Sequence, residues 1–268
     1  MEPDLTADEP AVDPYAEARM SVLEHLAELR VRVIRSFVAI AIGFSISWIW
    51  VEQIFEFLLI PLQTAAPQAD FADMHHKDLA EPFFVLLKTA IFSGLFVGLP
   101  VIIYQIWSFI SPGLYDHEKK MAYPFIFIST VFFVSGSAFC FYLVMPEGYK
   151  FLLNFSQGIS DPQLMMSEYL TITTKLILGF GVIFQLPVFS MFLSSIGILT
   201  HRHLLKFWRY AVVISFIVAA MLTPPDVITQ ALMAGPMVLL YFISIGVAWY
   251  FTWKRERNEA RENTELTK

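Results

Sequence analysis

Four long windows of the chain carry no Asp, Glu, Lys or Arg: Thr89 to Tyr115, Met121 to Pro146, Leu176 to His201 and Val227 to Trp253. Two shorter uncharged windows, Ser36 to Val51 and Tyr210 to Pro225, add to them, the first running on through Ile54, Phe55, Phe57 and Leu58. A helix needs roughly 20 apolar residues to cross a hydrocarbon layer of about 30 Å. The pattern therefore predicts an all-α polytopic integral membrane protein with six transmembrane helices, near 34–58, 83–108, 122–145, 169–193, 208–222 and 227–250. The polar stretches between them read as loops. Pro61 to Glu81 is an outer loop with room for a short helix, and Glu147 to Glu168 is a second. Thr223-Pro224-Pro225-Asp226 closes the last hairpin, with Thr223 as cap, Pro224 at the first helical position and Asp226 at the positive end of the helix.

Composition agrees with a membrane protein: 56% of the 268 residues are hydrophobic, 26 of them Phe, and 16% are charged. The net charge of -6 is concentrated in Glu2, Asp4, Asp8, Glu9, Asp13 and Glu17, and the remainder is near neutral, so nothing points to nucleic acid. The acidic, Pro-containing start is unlike the basic region of a cleavable signal peptide and reads as a disordered tail over 1–18. A membrane domain over 19–253 and a charged tail over 254–268 follow. The lone Cys140 excludes an intrachain disulfide.

Lys and Arg in short loops stay on the cytoplasmic side. Before the first span lie Arg19, Arg30, Arg32 and Arg35; Lys119 and Lys120 follow the second, Arg202, Lys206 and Arg209 the fourth, and five more the sixth. These are 14 of the 18 basic residues, which places both termini in the cytoplasm. Only 13 residues separate Arg209 from Thr223. At 1.5 Å per residue that is about 20 Å, which predicts a short fifth span and local bilayer thinning. Gly94 and Gly98 form a small-xxx-small pair suited to close helix contact.

Polar residues in or beside spans are candidates for function. Gln185 precedes Pro187, whose ring leaves the Ile183 carbonyl without a helical partner, so a water-filled cavity or an interhelical contact is expected there. Lys88 and Lys175 lie near a span end, within reach of the interface by their long stems. In the segment Ser21 to Val33, Val22, Leu26, Leu29 and Val33 share one helical face while Glu24, Glu28 and Arg32 share another. Glu28 and Arg32 are spaced for an i,i+4 pair worth about 0.2–0.5 kcal/mol. Glu118 lies in the short loop Ser111 to Lys120, held against the same membrane face. The histidines of His75-His76 and His201-Arg202-His203 lack partners at ligand spacing, so no metal is expected; no glycine-rich phosphate loop is present, so neither ATP nor any other cofactor is implied.

The motif His25-Leu26-Ala27-Glu28-Leu29-Arg30, then Pro82-Phe83-Phe84, then Tyr104 to Tyr115 with Pro112, Phe109 and the following His117-Glu118, and finally Leu222-Thr223-Pro224-Pro225-Asp226 resemble the TatC family, the multispanning subunit of the twin-arginine protein translocase. The resemblance runs from about Ser21 to Trp253. It implies a concave six-span scaffold in the inner membrane of a prokaryote that is not an enzyme. Its role would be to bind Arg-Arg signal peptides and export folded proteins using the membrane gradient. Partners implied are small single-span subunits of the TatA and TatB type, further copies of the chain, and the bilayer. Glu28 and Glu118 match the family's acidic recognition positions, and a carboxylate suits the planar donor fork of a guanidinium. Leu26, Arg30, Pro61, Phe109, Pro112, Pro224, Pro225 and Asp226 match positions tied to activity or loop structure. Gln185 stands where some relatives carry Glu, and an amide cannot change charge with pH. A small-solute transporter is disfavoured by spans almost free of ionisable groups, and a purely structural protein gives the two carboxylates no purpose.

Overall fold

The uncharged windows become helices because backbone N–H and C=O groups in hydrocarbon have no water to bond, and a helix satisfies them within one segment. The structure is a computed structural model that describes residues 22–67, 78–110, 122–156, 165–222 and 227–266. Apart from a single bridge residue at Met165, the described residues hold only helices and their connections. In chain order these are Val22–Trp48 (α1), Val51–Leu58 (α2), Ile60–Ala65 (α3), Glu81–Ile110 (α4) and Ala122–Phe139 (α5), which runs through a π-helical turn at Cys140–Val144 into Met145–Ser156 (α6). Met166–Ile183 (α7), Leu186–Ser195 (α8), His201–Leu222 (α9) and Val227–Leu266 (α10) follow. Among the described residues five rods are long and apolar enough to cross a membrane, and six if α1 is counted with its bent continuation.

The helix bounds depart from the expected spans in four places. The stretch 34–58 is not one rod: the chain turns by 91° between α1 and α2. Glu52, Gln53 and Glu56 of α2 are exposed while Val51, Phe55 and Leu58 are buried, so α2 is amphipathic and suits an interface better than hydrocarbon. The expected outer loop over 147–168 is helical as far as Ser156. The fifth helix is not short, since α9 is helical for 22 residues, roughly 33 Å; only its uncharged part from Tyr210 is short. The expected charged tail from 254 continues α10 to Leu266. The Thr223 to Asp226 turn lies outside the described residues.

Hydroxyls inside the rods return their protons to the helix itself. Thr89, Thr130, Ser215 and Thr252 each donate to the carbonyl four residues earlier, at 2.7–2.9 Å. That is how Ser and Thr sit in an apolar layer without an unmet donor.

A close helix crossing joins α1 to α4. A methyl group added to Gly43 would collide with the Gly94 carbonyl, and Gly98 rests against the Ala39 and Ile40 backbone at 3.2–3.3 Å from its would-be Cβ. The small-residue pair read from the sequence is thus a backbone-to-backbone seam. Two apolar cores flank it. At the end bearing α2 and α3, Leu62, Met145, Leu170 and Phe180 pack tightly, tied by Tyr169 O–H donating to the Leu58 carbonyl at 2.5 Å and by a Tyr149–Thr173 bond of 3.0 Å. Nearer the start of α1, Trp107 stacks on Phe125 at 5.3 Å and meets Phe192 edge-on at 4.8 Å. The α9–α10 hairpin is peripheral, and of α9 only Ser215 and Ala219 are buried.

Candidate functional site

Glu28 lies two turns into α1, its side chain 21% exposed. One turn on, Arg32 turns its guanidinium back so that Nε reaches Glu28 Oε1 at 3.1 Å and Nη2 contacts the same oxygen. The other oxygen, Oε2, is shielded and has no hydrogen-bond partner among the described residues; the His25 Nδ1 lies 4.0 Å away. The i,i+4 pair expected from the sequence therefore forms, and it occupies only half of the carboxylate. A guanidinium arriving here finds one free oxygen, not the two that a bidentate fork needs.

His25 fixes this end of α1 against α4. Its ring stacks on Phe109 with centroids 4.4 Å apart and planes 17° from parallel. Phe109 is next to last in α4, at the entry to the segment that carries Glu118. The sequence motif contained both rings, but their pairing depends on how α1 crosses α4. Leu26 and Arg30 are exposed on α1. Glu118 and Pro112 lie outside the described residues, as do Pro224, Pro225 and Asp226. Pro61 is buried at the start of α3, remote from Glu28.

Gln185 forms a second polar node, at the junction of α7 and α8. The rod breaks at Phe184–Gln185 between α7 and α8, where the Gln185 N–H donates to Val182 O at 3.0 Å instead of to the residue four back. Its side-chain Nε2 donates to the Ser129 carbonyl on α5 at 2.9 Å. Ser129 Oγ in turn accepts from Trp107 Nε1 of α4 at 2.8 Å. The expected interhelical contact is therefore present, and Gln185 also lines an apolar cavity of about 370 Å³ with Leu99, Ile103 and Val182. Ser129 was not singled out in the sequence, and Trp107 stood there only as part of the Tyr104 to Tyr115 motif. The same holds for Gln105, an amide in an uncharged window that is only 6% exposed and whose Oε1 has no partner among the described residues. Its signal, a lone polar group in an apolar run, is the one that marks Gln185.

Lys88 reaches across helices to Ser167 Oγ at 3.4 Å, and Glu81 Oε1 accepts from the Ser167 N–H at 3.1 Å. Among the described residues no group of three metal-ligating side chains gathers.

Helices long and apolar enough to cross a membrane, an uncharged polar node between them and a half-satisfied carboxylate at one end define a polytopic, helical membrane protein. The family model described as Sec-independent protein translocase protein (TatC) matches residues 24–236, and the chain belongs to this family. It is 39% identical over 269 residues to the Sec-independent protein translocase protein TatC of Koribacter versatilis (strain Ellin345), covering 96% of this chain and 98% of that one. The TatC protein of Desulforapulum autotrophicum is also 39% identical, with 93% of each chain covered. A solved structure titled Crystal Structure of Twin Arginine Translocase Receptor- TatC superposes with a TM-score of 0.76 at 37% identity, covering 85% of this chain and 100% of that one. The chain is a multi-pass component of the Sec-independent protein translocase, a family that works with other Tat components in protein transport and is not a catalytic enzyme.

Proposed function

We propose that this chain is the receptor of a twin-arginine translocation system and that the Glu28 end faces the cytoplasm of an inner membrane. Its ligands are signal peptides with paired arginines on folded precursors. The observation that carries this reading is the half-occupied carboxylate of Glu28, whose Oε2 has no hydrogen-bond partner among the described residues. A partly desolvated anion with an unused acceptor is a strong site for a cation, because the effective dielectric there is below that of water. Phe109, stacked on His25, leads directly into the segment holding Glu118, which supplies the second carboxylate for the second arginine.

Orientation follows from basic residues flanking the spans at that end, with both termini cytoplasmic. Small single-span subunits of the TatA and TatB type and further copies of this chain dock on the outward helix faces, and the membrane gradient drives transport. The membrane domain covers 19–253 and the charged segment from 254 follows it on the cytoplasmic side, while the region 1–18, expected as a disordered tail, lies outside the described residues. Leu26, Arg30, Pro61, Pro112, Gln185, Pro224, Pro225 and Asp226 support the fold or the working cycle.

The test is photocrosslinking of Arg-Arg and Lys-Lys signal peptides to the full chain in membranes. Glu28→Ala and Glu118→Ala should each abolish the preference for Arg-Arg while the protein still inserts. Unchanged crosslinking in both variants overturns the assignment.

A further inference from the structure

Along the first turns of α9, Arg202, Lys206 and Arg209 recur at i, i+4 and i+7, so the three side chains follow one another along a single exposed stripe of about 10 Å. Like charges at this spacing repel unless an anion stands between them. None of the three has a carboxylate partner among the described residues, and the sequence holds no Asp or Glu between Glu168 and Asp226. Glu256 of α10 is exposed and pairs with none of them among the described residues. A further cation stands close by, since the Arg255 guanidinium packs at Gly197, four residues ahead of α9. The Arg209 guanidinium lies 5.7 Å from the centre of the Trp208 ring, on a turn that also exposes Phe207 and Tyr210. Beyond Arg209 the same stripe turns apolar and stays exposed, through Val213, Phe216 and Ala220.

The uncharged part of α9, Tyr210 to Leu222, runs for 13 residues or about 20 Å, short of a hydrocarbon layer of about 30 Å. Phosphates of the leaflet at this end are drawn in toward the three cations rather than leaving them in hydrocarbon. A soluble anion would satisfy the cations and leave Val213 and Phe216 uncovered. A zwitterionic lipid would cover the apolar part and bring no net charge. One class of molecule carries an anionic head and an apolar tail in the order that the stripe presents. We infer that this face of α9 is a binding site for an anionic phospholipid, its phosphodiester held by Arg202, Lys206 and Arg209 and an acyl chain laid along Val213 and Phe216. The site uses neither Glu28 nor the assignment of the cytoplasmic face, so it stands apart from the receptor reading.

The experiment places the full chain in nanodiscs of phosphatidylcholine and reads quenching of a bimane label by bromine-tailed lipid. The label sits at Ile217→Cys, an exposed position one turn past Val213, or at Val131→Cys on α5 as reference; the native Cys140 is buried and stays unlabelled. A minor share of bromine-tailed phosphatidylglycerol should quench the Ile217 label more than the same share of bromine-tailed phosphatidylcholine, and should quench the Val131 label no more. Each of Arg202→Gln, Lys206→Gln and Arg209→Gln should lower that preference up to about five-fold, the scale of one cation at an anionic surface. The triple variant should abolish it with quenching by phosphatidylcholine unchanged, which shows that the helix is still in place. Arg209→Lys keeps the charge and should keep the preference. Glycerol phosphate added in large excess should displace nothing. Equal quenching by the two lipids at Ile217 overturns the site and leaves the stripe to an acidic partner protein. A preference that survives in the triple variant, that is as large at Val131, or that glycerol phosphate removes overturns it as well.

Discussion

The imidazole of His25 lies flat on the ring of Phe109, centroids 4.4 Å apart, and this stack joins the first turns of α1 to the last turn of α4. Glu28 sits less than one turn beyond His25, so the stack sets where the carboxylate stands relative to the end of α4. An aromatic pair adds about 0.5–1.5 kcal/mol beyond its buried area. Phe109→Ala should therefore reduce crosslinking of an Arg-Arg peptide to this end with little change in membrane insertion, and Phe109→Tyr should retain it. Full crosslinking by Phe109→Ala would show the stack to be incidental.

Gln185 donates to a backbone carbonyl, a bond that only a protonated Glu could make in its place. Gln185→Leu should cost about 0.6 kcal/mol and at most ~2, the range of interhelical hydrogen bonds in membranes. Gln185→Glu should make stability in detergent pH-dependent. The neutral acid keeps the donor and the ionised form loses it, so stability declines as pH rises through and above the carboxylate range. Thermal denaturation from acid to neutral pH checks this, and a flat profile for the Glu variant counts against it.

Gly94 admits the Phe44 backbone where a side chain would stand. Gly94→Val must push α1 from α4, and overpacking of this kind costs typically 1–3 kcal/mol or more. The variant should express poorly or melt several degrees lower, and its loss should be accompanied by exposure of the α1–α4 seam to cysteine-directed labels.

Gly197 has a φ of +80°, and the Arg255 guanidinium packs where its Cβ would be. Gly197→Ala should destabilise by more than the ~1 kcal/mol of backbone strain alone. Arg255→Ala combined with it should recover part of the loss, because the two substitutions share one contact. Strict additivity in the double variant would mean that only the backbone matters.

Much of the architecture was legible because a bilayer imposes a simple rule on composition. The predicted span 83–108 falls within α4, and 169–193 falls within α7 and α8, since the charges that end a window also end the apolar layer. The 34–58 stretch misled for the same reason. Hydropathy continues past Trp48 through Phe55 and Leu58, and only the period of Glu52, Gln53 and Glu56 reveals that the chain has turned. Glu28 and its i,i+4 partner were readable from one helix face, because both ends of that pair belong to the same local repeat.

Sequence alone determined that this chain crosses a membrane repeatedly, where most of the crossing stretches lie, and which few polar groups stand apart, because each of these is a local property of charge and period. The tertiary structure alone decided that Gln185 bonds to a carbonyl 56 residues away, that His25 stacks on Phe109, and that Gln105 is buried beside an apolar pocket. Helix crossing angles and the depth of Gly43 against Gly94 set those relations. They are properties of packed surfaces, which no single helix carries by itself.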